Sequence, residues 1–132
     1  MATPDPDALR VLIADDAADI RLLLRMYLSG SKLDVIGEAA NGKDAVTLVT
    51  AHRPDAVILD LSMPVMDGLE AIPLIKEASP ETKIVVLSGF EAERMAEAAL
   101  ELGADRYLQK GVSLGEISQM LWDLCRVAPT IE

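Results

Sequence analysis

The sequence predicts an α/β fold: a doubly wound parallel sheet of five strands with helices on both faces. Short apolar runs alternate five times with amphipathic stretches of helical length, and the connections between them are short. Such alternation produces parallel strands joined by right-handed crossovers, which place helices on both faces of a sheet. The chain of 132 residues is 51% hydrophobic but only 3% aromatic, so one domain with an aliphatic core is expected.

The first half of the chain contains three of the five predicted strands. The predicted elements are, in order, a strand at 9–14, a helix at about 19–28, a strand at 33–38, a helix at 43–51 and a strand at 56–59. The last of these strands reads AVIL and is wholly apolar. This composition predicts a central strand that is covered on both faces.

Local signals mark the ends of these elements. The first helix carries apolar residues that recur at the spacing of one helical face, namely Ile20, Leu23, Leu24 and Tyr27. Gly30 is expected to end that helix. Asn41 and Gly42 predict a turn before the second helix, and Pro54 stops that helix.

The second half of the chain continues the alternation. The predicted elements are a helix at 68–78, a strand at 83–87, a helix at 92–102, a strand at 106–109 and a final helix at 114–126. Pro73 lies inside the first of these helices and predicts a kink there. Gly103 is expected to end the second helix. We expect residues 9–126 to form the domain, with a disordered leader at 1–8 and a tail or linker start at 127–132.

The charge and composition of the chain exclude several classes of partner and structure. Its formal net charge is -10. Such a surface repels nucleic acids and anionic lipids, because binding them requires Lys and Arg to neutralise phosphates. No apolar run approaches the roughly 20 residues that a membrane span needs, and Cys125 is the only cysteine, so an internal disulfide is impossible. We expect a cytoplasmic protein with no direct contact to nucleic acid or membrane.

Polar side chains follow the strands at one edge of the predicted sheet. Asp15 and Asp16 come directly after the first strand, and Asp60 follows the third. Ser88 follows the fourth strand and Lys110 follows the fifth. In open parallel sheets, ligands bind beyond the carboxyl ends of the strands, near the topological switch point. We therefore expect these side chains to share one site.

The residue types at this edge favour a phosphoryl-transfer site that depends on a metal ion. Carboxylates that converge in one crevice repel each other and lose hydration, and a hard cation such as Mg²⁺ relieves both costs. A lysine offsets the charge of a phosphoryl group, and a hydroxyl donates a hydrogen bond to it. A carboxylate can attack phosphorus to form an acyl phosphate, which makes Asp60 the expected nucleophile.

The same residues resemble the receiver domain of the response regulators of two-component signalling. The resemblance rests on the acid pair at 15–16, the segment DLSMPVMDG at 60–68, Ser88, and the segment GADRYLQK at 103–110. It extends over residues 9–126 and implies the (βα)5 flavodoxin-like receiver fold, with strand order 2-1-3-4-5. Gly111 stands where many receivers have proline, and the segment at 38–42 also looks like the branch of LuxR- and NarL-type regulators. We expect the peptide bond before Gly111 to be trans.

The resemblance implies a role for each residue of the metal site. Asp60 would be the phosphoacceptor and a ligand of Mg²⁺. Asp16 would bind the ion directly and Asp15 largely through water. The backbone carbonyl of Ser62 would be a further ligand.

The resemblance also implies a switch and a set of partners. Lys110 would contact the phosphoryl group, Ser88 would move toward it, and Tyr107 would rotate into the space that is vacated. The readout would be a repacked surface of the fourth helix, fifth strand and fifth helix, and a homodimer on phosphorylation is possible. The phosphoryl donor would be a sensor histidine kinase, a phosphotransfer protein or a small phosphodonor, and the chain would be a switch, not an enzyme with an external substrate.

Other interpretations remain open at this stage. An acid pair after a strand is more often a helix cap than a metal site. A phosphatase of the haloacid-dehalogenase type would need a second Asp where the chain has Ser62, and a flavodoxin-like carrier of FMN would need a phosphate loop where the chain has acids. A pseudo-receiver that works as an unphosphorylated scaffold is the main alternative.

Overall fold

The computed structural model describes residues 7–29, 32–89 and 93–125. In this part of the chain, five strands alternate with five helices in the predicted order. The elements are β1 (Leu9–Ala14), α1 (Ala18–Leu28), β2 (Leu33–Ala39), α2 (Gly42–His52), β3 (Ala56–Leu59), α3 (Gly68–Ala78), β4 (Lys83–Ser88), α4 (Glu93–Leu102), β5 (Arg106–Gln109) and α5 (Leu114–Cys125). The predicted bounds agree with these to within one residue wherever the chain is described.

The five strands form one parallel sheet in the order β2-β1-β3-β4-β5. The fold class and strand order are therefore confirmed. β2 lies on one side of β1, and β3 lies on the other side. The direction in which successive strands are added to the sheet therefore reverses at β1. The carboxyl ends of β1 and β3 are neighbours there, since Ala14 pairs with Leu59. This is the topological switch point at which open parallel sheets bind their ligands.

Two aliphatic clusters cover the two faces of the sheet. On one face, Leu12 and Leu59 pack with residues of α2, α3 and α4. On the other face, Ile13 and Ile58 pack with Leu24 and Leu28 of α1 and with residues of α5. Every residue of β3 is buried. The prediction of a central strand covered on both faces is confirmed, and the core holds the ends of β1 and β3 rigidly in place.

The inner face of α1 differs from the prediction. Leu24 and Leu28 are buried, but Leu23 is 51% exposed and Tyr27 is 41% exposed. The predicted face was therefore wrong for these two residues. The buried face of α1 is centred on Leu24 and Leu28, and Arg21 forms an ion pair with Glu38 of β2. Contacts between segments that are distant in sequence leave no trace in local periodicity.

The prediction of a turn at Asn41 and Gly42 also needs correction. Asn41 is the N-cap of α2, and its side chain accepts a hydrogen bond of 2.8 Å from the N–H of Asp44. Gly42 is the first residue of the helix, and its N–H donates to the carbonyl of Met66 at 2.8 Å. An added Cβ at Gly42 would lie 2.3 Å from that carbonyl oxygen. Glycine is required here because α2 begins directly against the loop that follows β3.

Three further sequence signals can be compared with the structure. Gly103 follows α4 with a φ of +122°, as a helix-terminating glycine does. Pro73 lies within α3, which continues through it to Ala78. The peptide bond between Lys110 and Gly111 is trans, because no cis bond occurs in the described part of the chain.

Several predictions fall on residues outside the described ranges. These are the leader at 1–6, the helix end at Gly30, the first residue of the fourth helix at Ala92, the last residue of the fifth helix at Arg126, and the tail at 127–132. Among the described helices, none combines the length and the apolar character that crossing a bilayer requires.

The close approach at Gly42 makes a testable prediction. Alanine normally stabilises a helix relative to glycine by up to about 1 kcal/mol. At this position the Cβ would meet a backbone carbonyl, so we expect Gly42→Ala to lower the free energy of unfolding by roughly 1–3 kcal/mol in urea denaturation. Gly115→Ala on α5 is the matched control, because its Cβ would find only ordinary contacts at 3.5 Å or more. A Gly42→Ala protein as stable as the wild type would contradict the close approach.

Candidate functional site

The predicted site residues follow adjacent strand ends, and backbone hydrogen bonds hold them there. The N–H of Asp60 donates to the carbonyl of Ala14 at 2.9 Å, and the N–H of Asp15 donates to the carbonyl of Ala39 at 3.0 Å. The N–H of Lys110 donates to the carbonyl of Ser88 at 2.7 Å. The parallel hydrogen-bonding pattern thus extends one residue beyond each strand, so the backbone positions of the three charged residues are fixed by the sheet.

The side chain of Lys110 bridges two buried carboxylates. Its Nζ lies 3.0 Å from Oδ2 of Asp15 and 3.5 Å from Oδ2 of Asp60. Asp15 is only 2% exposed and Asp60 only 3%. One ammonium therefore faces two buried carboxylates, and the third acid, Asp16, is exposed beside them. This cluster carries more negative than positive charge.

The pKa values of Asp60 and Lys110 are both raised, but for different reasons. Burial raises the pKa of Asp60 above its ordinary 3.8, and the charge of Asp15 raises it further; Lys110 and the N–H of Ser62 lower it, but by less. Burial alone would lower the pKa of Lys110, but its hydrogen bond to Asp15 and its attraction to both carboxylates outweigh this effect and raise it above 10.5. Lys110 is therefore charged at neutral pH, whereas the positive charge near Asp60 is too small to outweigh the effects that raise the pKa of Asp60.

The donor set fits a hard divalent cation. One carboxylate oxygen from each of Asp15, Asp16 and Asp60 can be chosen so that all three lie within 4.8 Å of one another. Oxygen ligands of this kind suit Mg²⁺ and Ca²⁺, whereas softer metals prefer nitrogen or sulfur. The pKa of Asp60 is raised first by burial and then by the charge of Asp15, and Lys110 does not outweigh these two effects. A cation between the three acids would remove that imbalance.

An open cleft of about 320 Å³ leads to the cluster. Its lining includes Asp16, Asp60, Ser62, Gly89 and Lys110. Both a buried carboxylate and its lysine partner are therefore accessible to a small ligand or to a side chain of another protein.

The loop between β3 and α3 shapes one side of this cleft. The N–H of Ser62 donates to Oδ1 of Asp60 at 3.4 Å. Val65 has a φ of +69° and is largely exposed, an unfavourable conformation for a β-branched residue. The N–H of Met66 donates to the carbonyl of Pro64 at 2.7 Å, which closes a tight turn around it. Strained backbone of this kind is concentrated at functional sites.

Gly68 has a role that the sequence did not reveal. The sequence predicts only a turn that opens a helix at Asp67 and Gly68, and Asp67 does cap α3 by accepting a 2.8 Å hydrogen bond from the N–H of Glu70. Gly68 itself packs against the backbone of Asp60, where an added Cβ would lie 2.3 Å from the carbonyl oxygen. Its N–H donates to the carbonyl of Leu61 at 2.9 Å. The start of α3 therefore fixes the backbone of Asp60.

Ser88 lies next to the cleft, and Tyr107 lies on the neighbouring strand. Ser88 is fully buried at the carboxyl end of β4, directly before Gly89, which does line the cleft. Tyr107 on β5 is half-buried and packs against the cluster that contains α4. It pairs in register with Val86, two residues before Ser88. The two residues therefore occupy neighbouring strands near the same edge of the sheet.

Comparison with known proteins decides the family. The model of the response regulator receiver domain matches residues 11–122, which include every residue of the site. The chain belongs to the response regulator receiver domain family. Members of this family are phosphoacceptor switches in two-component signalling, and they interact with histidine kinases or phosphotransfer proteins.

Individual relatives agree with this membership. The response regulator protein VraR of Staphylococcus epidermidis is 38% identical over 112 residues, which cover 84% of this chain and 54% of that protein. The chemotaxis protein CheY of Thermotoga maritima is 39% identical over 101 residues, covering 76% of this chain and 84% of that protein. The chain thus spans about half the length of the VraR relatives that it matches, but most of the length of CheY.

A solved structure shows the same architecture. The signal receiver domain of NarL from Mycobacterium tuberculosis superposes with a TM-score of 0.88 at 31% identity, covering 93% of this chain and 100% of that one. The receiver fold is therefore shared over nearly the whole chain.

Proposed function

We propose that Asp60 accepts the phosphoryl group in this receiver domain, which we take to extend over residues 9–126. The observation that carries the proposal is a buried carboxylate at the end of a rigid central strand, on the wall of an open cleft and 3.5 Å from a lysine ammonium. One oxygen of Asp60 forms a bond to phosphorus, while the bond from phosphorus to the donor breaks and its electron pair leaves with the donor. The product is an acyl phosphate on Asp60.

The neighbouring acids support this reaction by holding a cation. Asp15, Asp16, Asp60 and the backbone carbonyl of Ser62 are the proposed ligands of Mg²⁺. When bound, the ion offsets the negative charge of the phosphoryl oxygens. Lys110 contributes a second positive charge to the same oxygens, and its contact with Asp15 keeps the ammonium at the mouth of the cleft.

The response to phosphorylation is proposed to pass through Ser88 and Tyr107. A phosphoryl group on Asp60 adds roughly 1.5 to 2 negative charges and three acceptor oxygens. The hydroxyl of Ser88 moves toward these acceptors, and Tyr107, already half-buried, turns into the space that opens behind it. The surface of α4, β5 and α5 then changes shape, which controls an output and permits a homodimer.

We propose that the phosphoryl donor, a histidine kinase or phosphotransfer protein, docks on α1. The helix begins two residues after the exposed Asp16 and presents a stripe of apolar residues to solvent: Leu22, Leu23, Met26 and Tyr27. Met26 is 70% exposed. Large apolar side chains that cluster on a surface mark interaction sites. A partner seated on this stripe lies next to the mouth of the cleft.

The alternative of a scaffold that works without phosphorylation is less favoured. A pseudo-receiver has no need for Asp60, Ser88 and Lys110 together, whereas this chain retains all three. We propose that the chain promotes only its own phosphorylation and dephosphorylation.

Incubation with acetyl phosphate tests the role of Asp60. We expect Mg²⁺ and acetyl phosphate to add one phosphoryl group, detected by intact mass, and we expect EDTA to abolish the gain. Asp60→Asn should gain nothing because its amide cannot attack phosphorus. Asp67→Asn is the matched control, since Asp67 is a helix cap in the same loop and should still allow phosphorylation. Phosphorylation of Asp60→Asn, or none of the wild type, would refute the proposal.

Paired substitutions on α1 test the docking surface separately. We expect Leu22→Gln with Met26→Gln to slow phosphotransfer from a phosphorylated histidine kinase by about fivefold or more, because loss of a key apolar side chain at the centre of an interface costs about 1 kcal/mol or more. Phosphorylation by acetyl phosphate should not change. Leu100→Gln with Leu102→Gln removes comparable exposed side chains from α4 and should leave the kinase reaction unchanged. Equal rates for both double variants would exclude α1 as the docking site.

A further inference from the structure

Arg21 connects the carboxylate cluster to the edge of the sheet. Its Nη1 donates a 2.6 Å hydrogen bond to the backbone carbonyl of Asp15, and its Nε donates to Oε1 of Glu38 at 3.2 Å. The Arg21 side chain is only 19% exposed. A single guanidinium therefore joins α1, β2 and the loop that carries the acid pair.

The carbonyl that accepts this bond lies where the sheet no longer controls the backbone. The N–H of Asp15 still bonds to β2, through the carbonyl of Ala39. One peptide further on, the carbonyl of Asp15 receives its hydrogen bond from the side chain of Arg21 instead. Because a peptide unit is planar, a bond to the carbonyl of residue 15 also fixes the direction of the N–H and Cα of Asp16.

The guanidinium is held in turn by Glu38. Both oxygens of this carboxylate are used, one by Arg21 and the other by Nε of Arg25. Arg25 also donates to the carbonyl of Val35 at 3.4 Å, so both of its contacts described above lie on β2. The two arginines therefore share an anchor and differ in one respect: Arg21 reaches the backbone of Asp15.

We propose that Arg21, anchored by Glu38, is a positioning residue that orients Asp16 toward the cation. The proposal rests on the function proposed for the site. Asp15 and Asp60 are buried and held by Lys110, whereas Asp16 is exposed, so its direction depends on the peptides on either side of it. The N–H of Ala17 on the following peptide donates to Oδ1 of Asp15 at 2.9 Å, and Arg21 holds the preceding peptide. Arg21 shares Glu38 with Arg25, so its charge is only partly offset, and a test has to separate orientation from charge.

A comparison of Mg²⁺ binding with Ca²⁺ binding distinguishes an effect of ligand orientation from an effect of charge. Mg²⁺ requires nearly ideal octahedral geometry at short distances, whereas Ca²⁺ accepts irregular ligands at longer ones. A residue that orients an acid should therefore affect Mg²⁺ more than Ca²⁺. A residue that acts only through its charge should affect both ions alike.

The experiment measures cation affinity on the whole chain without any phosphodonor. Chemical shifts of backbone amides near residue 16 are followed by NMR as Mg²⁺ or Ca²⁺ is added. We expect Arg21→Met to weaken Mg²⁺ binding by about tenfold, as is typical when a group that holds a metal ligand is lost. Ca²⁺ binding should change by about twofold or less. Arg25→Met, which also removes a partner of Glu38, should bind both ions like the wild type.

Arg21→Lys separates orientation from charge. Lysine keeps the positive charge but lacks the rigid fork that lets arginine bond to two acceptors in different directions. We expect Arg21→Lys to weaken Mg²⁺ binding nearly as much as Arg21→Met does. If Arg21→Met does not fold by circular dichroism, Arg21→Lys decides the question alone.

The outcomes are distinct. Wild-type Mg²⁺ affinity in a folded Arg21→Met or Arg21→Lys protein would overturn the proposal, as would an equal loss in Arg25→Met or an equal loss for Ca²⁺. A wild-type chain that binds no Mg²⁺ would overturn the function proposed for the site together with this inference. Normal binding by the wild type with no effect of Arg21 would overturn this inference only.

Discussion

One interaction dominates this molecule: the carboxylates of Asp15 and Asp60 share the ammonium of Lys110 in a largely buried position. Burial removes water from both acids, and one lysine cannot offset two of them when a third acid stands beside them. The folded chain therefore carries a local excess of negative charge at its cleft. We propose that this excess gives the site its affinity for cations and, with a cation, for a phosphoryl group.

The rest of the fold serves to maintain this unfavourable arrangement. The strand order places β1 next to β3, and two aliphatic clusters hold the sheet from both faces. Backbone contacts add local control, since α3 begins against the carbonyl of Asp60 at Gly68 and α2 begins against Met66 at Gly42. Rigidity at these points prevents the acids from separating, so the stability of the core is used to keep the site preorganised.

Local sequence patterns predicted most of this structure. Periodicity and apolar runs located the elements, and the position of polar residues after the strands predicted the site, because parallel topology brings those ends together. The features that the sequence did not predict share a cause. The exposure of Leu23 and Tyr27, the helical start at Gly42 and the packing of Gly68 all depend on contacts between segments distant in sequence. The same holds for the contacts of Arg21 with Asp15 and Glu38, since nothing in the α1 sequence indicates its partners.

The central interaction is tested most directly by comparing the free energies of unfolding of Asp60→Asn and the wild type. Both are measured by urea denaturation in EDTA from pH 7 to pH 4. Because the pKa of Asp60 is raised in the folded chain, its charge lowers stability above that pKa, and the cost fades as the pH falls through it toward 3.8. We expect Asp60→Asn to be the more stable protein at pH 7, with an advantage that shrinks on acidification and is cancelled by Mg²⁺ binding to the wild type. A less stable Asp60→Asn at pH 7 without metal would contradict the excess of negative charge.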